Sequence, residues 1–366
     1  MDKSLDRYHR QMLLPGFGQA GQTRLLESSV LVVGCGALGT VIANMLARAG
    51  VGNLVIVDRD FIEITNLQRQ VLFDESDVDN ALPKAEAAKQ KIARINSQVH
   101  VTAIVDDLNH TNIESIAHGC DVMIDGVDNF ETRFLVNDMA VKHGIPYVYG
   151  GAVGTVGMTY AILPHGPPGN ESRTPWGKAG QVTPCLRCIF DQAPPPGMNP
   201  TCDTVGVLGP VVSVVANYQV AESLKILTGN WEAINEKMVH IDLWANTYHQ
   251  FGVASAYALG NCTCCKQRIF EHLEGKMSSA TTTLCGRDAV QLSNRFMSGQ
   301  KLDLNEIAKR LKPHGVVKTN KFMLHADLCD NGQSYELTLF TDGRAIVKGT
   351  KHANTAKSIY AKYVGN

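Results

Sequence analysis

The sequence predicts an α/β protein: a doubly wound, mainly parallel sheet followed by a smaller C-terminal α+β module. Three observations carry this reading. Between residues 30 and 150, short β-rich apolar runs alternate with helical stretches. A glycine-rich turn, Gly34-Cys35-Gly36-Ala37-Leu38-Gly39, joins the first run to the first helical stretch. Beyond the linker-like L-E-G-K-M-S-S at 273–279, a separate pattern begins. A chain of 366 residues is long enough for one large domain, 1–272, and one small one, 280–366.

The elements follow in order. Residues 1–28 mix polar and apolar residues and read as a helical arm. Strands are expected at 30–34, 53–57, 99–105, 121–125 and 146–149, and helices at 38–49, 84–95, 111–117 and 131–143. Strand–helix alternation of this kind makes a parallel, Rossmann-like sheet. Residues 151–163 read as glycine-spaced β structure, and 164–182 and 193–201, rich in Pro, Gly and polar residues, as mobile loops. A helix at 209–228 is stopped by Gly229, and M-V-H-I-D-L-W reads as a further strand. In the module, a strand at 280–285, a helix at 303–312, strands at 316–328 and 335–348 and a helix at 353–363 are expected. Asp342-Gly343 reads as a hairpin-type turn.

The composition is that of a globular protein, 44% hydrophobic and 19% charged. A net charge of −1 gives no case for nucleic-acid or membrane-surface binding. Charges occupy the N-terminus where a signal peptide needs its apolar core, and no apolar run is long enough to span a bilayer. A cytoplasmic location is the expectation.

A glycine loop alone is a weak signal, but Asp58 follows Gly39 by 19 residues, where a carboxylate accepts bonds from ribose hydroxyls. Backbone N–H groups at the start of the following helix favour a phosphate. The nucleotide-binding set is Gly34, Gly36, Ala37, Gly39, Asp58, Asp60, Asn66, Gln68, Arg69, Lys84, Asp128 and Asn129. Hydride transfer has no need for so many cations and amides; holding a triphosphate does. Arg69 and Lys84 suit phosphate clamps, although each taken singly is more often a solvated surface cation. Asp128 closes D-G-V-D at the carboxyl end of a central strand, a natural Mg²⁺ ligand beside a nucleotide, with Asp125 the runner-up.

Two cysteine pairs, Cys185-Leu-Arg-Cys188 and Cys262-Thr-Cys-Cys265, supply four thiolates for one tetrahedral Zn²⁺, with Cys264 competing with Cys265. Unrelated free or redox cysteines are the plainer alternative. Cys202, ahead of the 209–228 helix, is either a presented nucleophile or an idle residue. Neither G-x-S-x-G nor H-E-x-x-H is present.

Together these residues resemble the MoeB/ThiF family, relatives of the ubiquitin-activating enzymes. The likeness covers residues 4–270: R-Y-H-R-Q, G-C-G-A-L-G, V-G-N-L-V-I-V-D, N-L-Q-R-Q, P-K, D-N, C-L-R-C, T-C-D-T-V-G-V-L-G-P and the last cysteine pair. The resemblance implies a homodimer that uses Mg²⁺ and ATP to adenylate the C-terminal Gly-Gly carboxylate of a ubiquitin-like sulfur-carrier protein. The carrier then becomes a thiocarboxylate for thiamine-thiazole or molybdopterin synthesis, with a cysteine desulfurase or similar sulfur donor. It also implies roles. Arg10 reaches the partner subunit's site; Asn66, Arg69 and Lys84 hold phosphates; Asp58 holds the ribose and Asp128 the Mg²⁺. Cys185, Cys188, Cys262 and Cys265 hold zinc, and Cys202 stands where some members form a covalent link to the carrier. Ala37 replaces a glycine common in relatives. The module lacks a rhodanese-type loop, Cys285 reads as a core residue, and partner docking is its expected role. Competing readings are the same chemistry on a peptide or tRNA base, an NAD-dependent oxidoreductase, and a non-catalytic scaffold.

Overall fold

The computed structural model describes residues 3–164, 183–192, 202–277, 281–284, 288–292, 302–330, 332–341 and 343–365. Two compact units divide the chain: Met1–Pro194 with Val205–Met277, and Ser278–Asn366 with Pro195–Thr204.

In the first unit the strands are β1 (Ser29–Val33), β2 (Asn53–Val57), β3 (His100–Ile104), β4 (Val122–Asp125), β5 (Tyr147–Val153), β6 (Val156–Ile162), β7 (Lys237–Asp242) and β8 (Thr247–Gly252). They form one sheet in the order β3-β2-β1-β4-β5-β6-β7-β8. The pairs from β3 through β5 are parallel; β6, β7 and β8 add antiparallel strands at one side.

β1 and β4 read as continuous apolar runs because helices cover both sheet faces. Strand alternation sends Val30 and Val32 to one core, Leu31 and Val33 to the other. The helices are α1 (His9–Met12), α2 (Gly18–Glu27), α3 (Ala37–Ala49), α4 (Glu75–Asp79), α5 (Lys84–Ile95), α6 (Ile113–Ile116), α7 (Phe130–His143), α8 (Leu186–Ile189), α10 (Gly209–Thr228) and α11 (Ala254–Leu259); α9 (Cys202–Val205) falls at the boundary, with Cys202–Thr204 in the stretch that belongs to the second unit. Ile42 and Leu46 of α3, Ile92 of α5 and Val215 of α10 fill the first core; Phe134 and Met139 of α7 fill the second with Tyr147 and Tyr160. Among the described residues no helix is long and apolar enough to cross a membrane.

The strand order reverses between β1 and β4. The carboxyl ends of the strands at such a switch point are the ligand position of open α/β sheets. The loops after β1, β2 and β4 all lead to it.

The second unit has β9 (Thr281–Leu284), β10 (Ala289–Leu292), β11 (Gly315–Thr319), β12 (Met323–Asp330), β13 (Gln333–Phe340) and β14 (Ala345–Lys348), with α12 (Leu304–Leu311) and α13 (Ala353–Tyr363). Its antiparallel sheet runs β11-β12-β13-β14-β10-β9. Leu324, Leu328, Leu337 and Val347 face Ile307, Leu311 and Ile359 in its core.

Each of the two long strands expected here is two strands. Asn320 breaks the first: its Oδ1 accepts from the Phe322 and Met323 N–H groups at 2.9 and 3.0 Å, closing a turn between β11 and β12. β13 and β14 are separated at Gly343, whose φ of +88° suits a tight turn; Asp342 itself lies outside the described residues. The expected loops at 165–182 and 193–201, and Cys285, also lie outside them. β8 went unanticipated because T-Y-H-Q-F-G is exposed on both faces and has no alternation.

Candidate nucleotide site and cysteine cluster

Backbones approach closely where the loops after β1 and β4 meet. Gly34 has φ +85°, and a Cβ there would lie 2.7 Å from the Gly126 carbonyl oxygen. A Cβ on Gly39 would lie 2.0 Å from the Gly34 oxygen, so only glycine lets α3 start so near the strand. Gly36 precedes α3 and has no side chain to cap it. The helix's first N–H groups are left for an anion. Ala37 is the first helical residue, where its methyl group is accommodated.

Asp58 directly follows β2 and stitches the loop. Its Oδ2 accepts the Cys35 N–H at 2.6 Å and its Oδ1 the Asp60 N–H at 2.7 Å. Burial raises its pKa above the ordinary carboxylate value, against the pull of the Lys84 ammonium. Lys84, only 3% exposed at the start of α5, donates from Nζ to Asp60 Oδ2 at 2.9 Å. Its backbone N–H bonds the Asp60 carbonyl at 2.9 Å. Asp60 therefore places Lys84 through both main chain and side chain.

Asn66 is buried, and its Oδ1 accepts the Glu63 N–H at 3.1 Å. Arg69, half-buried, donates to the Thr65 carbonyl at 3.0 Å, and Gln68 is exposed. The 3₁₀ turn Ile64–Asn66 thus presents this group locally. Asp128 is exposed, with Asn129 Nδ2 at 3.4 Å from its Oδ1. Asn129 Oδ1 caps α7 by accepting the Thr132 N–H at 2.9 Å.

Asp125, the sequence runner-up for a metal ligand, is instead spent on structure. It is buried and accepts from Arg133 Nε (3.0 Å), Tyr147 Oη (2.9 Å) and the Val127 N–H (2.9 Å). Arg10 stands exposed on α1. Its arm is anchored on either side. Tyr8 is buried and its hydroxyl accepts from Asn96 Nδ2 at 2.8 Å; Gln11 Nε2 donates to the Ala49 carbonyl at 2.9 Å. Cys202 opens α9, and its side chain lies outside the described residues.

Two residues escaped the sequence reading. Arg59 pairs with Asp107 at 3.0 Å; burial works against its charge, but Asp107, Asp60, Asp128 and Asp58 hold its proton more tightly than usual. Its place between Asp58 and Asp60 was the available signal. Gln70 is 3% exposed, with no partner for Oε1 among the described residues.

The cysteines converge as expected. Sγ atoms of Cys185, Cys188, Cys262 and Cys265 all lie within 4.8 Å of one another. Cys185 is 3.8 Å from Cys188 and 3.6 Å from Cys262, and Cys188 is 3.3 Å from Cys265. Four sulfurs about 2.3 Å from one tetrahedral Zn²⁺ stand roughly 3.8 Å apart, so the donor set fits a metal. Hydrogen bonds among the four sulfurs hold the Cys185 thiol below its ordinary pKa and push those of Cys188 and Cys265 up, as expected of thiols sharing protons at close range. The choice between Cys264 and Cys265 resolves in favour of Cys265. Cys264 is not one of the four clustered sulfurs; it is fully buried and accepts from Asn137 Nδ2 at 3.3 Å.

A model of the ThiF family matches residues 8–264. The chain belongs to the ThiF family. A Bacillus subtilis relative, "Sulfur carrier protein ThiS adenylyltransferase", is 39% identical over 98% of this chain and 99% of its own length. The likeness therefore extends through the second unit. The Thermus thermophilus "Sulfur carrier protein adenylyltransferase" is 41% identical over 62% of this chain and 79% of its own. Among solved structures, Escherichia coli MccB with ATP has the same fold, with a TM-score of 0.57 and 24% identity over 71% of this chain and 74% of that one. This ThiF-family chain carries its glycine loop, N-L-Q-R-Q turn and cysteine pairs on a Rossmann-like sheet.

Proposed function

We propose that this protein is an adenylyltransferase that activates the C-terminal Gly-Gly carboxylate of a ubiquitin-like sulfur carrier with ATP. The observation that carries the reading is the loop cluster at the β1/β4 switch point, which gathers Lys84, Arg59, Asp58 and Asp128 beside the α3 N-terminus. It is supported by a relative of that name matching nearly the whole chain. A hydride-transfer enzyme would leave this set idle, so the oxidoreductase reading is not favoured; nor are a peptide or tRNA acceptor.

In the proposed reaction a carrier carboxylate oxygen attacks the α-phosphorus of ATP, and the bond to the β,γ-diphosphate breaks. Pyrophosphate leaves and the carrier acyl-adenylate remains. The α3 N–H groups, Asn66, Arg69 and Lys84 offset charge building on the phosphates. Asp58 receives the ribose hydroxyls by exchanging loop N–H bonds, with Asp60, Gln68 and Asn129 shaping the pocket. Asp128 would hold Mg²⁺, which supplies charge neutralisation on the phosphates when bound. Cys185, Cys188, Cys262 and Cys265 would hold Zn²⁺ as a structural clip. Arg10 would serve the partner subunit's site in a homodimer, the Cys202 thiolate would attack the acyl-adenylate carbonyl and displace AMP to leave a thioester link to the carrier, and a cysteine desulfurase or other donor would supply sulfur.

ATP–pyrophosphate exchange with a Gly-Gly-ending carrier tests this. Carrier-dependent exchange that Asp128→Ala abolishes is expected. No exchange with either a thiazole-pathway or a molybdopterin-pathway carrier would overturn it.

A further inference from the structure

The whole-chain charge of −1 conceals a strong division. Residues 1–279 carry 21 Lys and Arg against 28 Asp and Glu, a net −7, whereas residues 280–366 carry 13 against seven, a net +6. The excess is concentrated. Between Glu306 and Asp327 the chain has Lys309, Arg310, Lys312, Lys318 and Lys321, and no acid.

This stretch folds as the end of α12, a 3₁₀ turn (Lys312–His314) and β11. All five cations are exposed. Among the described residues none of the five forms an ion pair; Arg310 bonds only the Val364 carbonyl, at 3.3 Å, and Lys321 lies over the Phe322 ring. Three cations elsewhere in the module are paired: Lys348 with Glu336 (3.3 Å), Lys351 with Asp288 (2.9 Å) and Lys362 with Asp330.

β11 is also the end strand of its sheet, paired with β12 alone. Val317 lies opposite Ala326 on the helix-covered face. Val316, 63% exposed, and Lys318 lie on the other face, opposite Asp327 and His325. That one nearby carboxylate is engaged by His325 Nε2 at 3.2 Å. Lys309, Arg310 and Lys312 thus stand on α12 and the turn that leads into β11, and Lys318 on β11 itself. An edge strand with backbone groups to pair, one exposed valine and a surrounding positive field suits an acidic protein that adds a strand. Nucleic acid is less well matched, because the patch has a single arginine and no exposed aromatic platform.

We propose that the β11 edge and its five cations form a docking surface for an acidic protein, and that its occupant is the carrier substrate. This rests on the adenylation reading. The acidic first unit would repel such a carrier; the basic module would capture it and raise its local concentration.

The test uses the full-length protein. Lys309→Glu, Lys318→Glu and Lys321→Glu are combined, and the carrier and ATP KM values are read from pyrophosphate exchange at about 50 mM and about 500 mM salt. At low salt the carrier KM should rise roughly ten-fold or more, with ATP KM and kcat at saturating carrier unchanged, and the difference should shrink at high salt. The same three positions changed to Gln should give an intermediate rise, which separates charge from misfolding. Unchanged carrier KM in an active protein overturns this inference alone. Absence of carrier-dependent exchange in the wild type removes the adenylation reading and this inference with it. An unchanged carrier KM together with lost binding of a tRNA probe would assign the patch to RNA and overturn it as well.

Discussion

Arg133 and Asp125 form a fully buried pair, Nε to Oδ2 at 3.0 Å, and the same guanidinium bonds the Val127 carbonyl at 2.8 Å, one residue before Asp128. The turn that presents the exposed carboxylate is therefore fixed from within the core.

Breaking that pair should be costly, because the remaining charge has no water to turn to. Arg133→Ala is expected to destabilise the protein by about 3–5 kcal/mol. Urea unfolding monitored by fluorescence would check it; a loss below roughly 1 kcal/mol would mean that the pair is not what fixes the turn.

The glycine loop tolerates no methyl group at its closest approach. Gly39→Ala places a Cβ 2.0 Å from the Gly34 oxygen, so loop and helix must separate. We expect a loss of about 1–3 kcal/mol in stability and a larger loss of ATP affinity. Isothermal titration with ATP would show whether affinity survives.

The cysteine cluster predicts one tightly held metal per chain. Cys188→Ser should release it and lower Tm, whereas Cys264→Ser should keep it, since Cys264 faces Asn137 instead. Elemental analysis of both variants decides; metal loss in Cys264→Ser would reverse the ligand assignment.

His272 should make the protein acid-sensitive above the usual carboxylate range. Burial, aided by Arg187, pushes its pKa down from 6.5 to about 4. The unfolded chain thus takes up a proton that the folded one refuses. The stability His272 allows is present above pH 6.5 and is lost as pH falls toward 4. Asp138, raised to about 6 mainly by burial, works in the opposite sense over the same window. The measurement is therefore a comparison: denaturation midpoints from pH 7 to 4.5 should fall less in His272→Leu than in the wild type.

Much of this was legible in the sequence. α3, α5, α10 and α13 follow from apolar periodicity and stop signals, with Gly50 and Gly229 in left-handed conformation closing two of them. The crevice residues follow from strand–helix alternation, which puts Asp58 and Asp128 at strand ends. β8 and the break at Asn320 were not legible, because an exposed edge strand has no hydrophobic period and an Asx turn interrupts a run without a glycine or proline. Arg59 and Gln70 were missed for another reason. Arg59 is defined by its pairing with Asp107, distant in sequence, and Gln70 by burial that its polar side chain does not announce. The charge division was visible in the sequence all along, but a single total cancels it.

Helix α3 has a mechanical consequence. Its first residues belong to the nucleotide loop, while the carbonyls of Ala47 and Ala49 at its far end receive Asn96, Gln22 and Gln11. Thirteen residues make a strut about 20 Å long. Packed in the core along its length, it couples the proposed seat of the phosphates to the mounting of the arm that carries Arg10. The two ends of the proposed chemistry are thus parts of a single lever, and damage at Gln22 or Asn96 would be felt at a loop that neither residue touches.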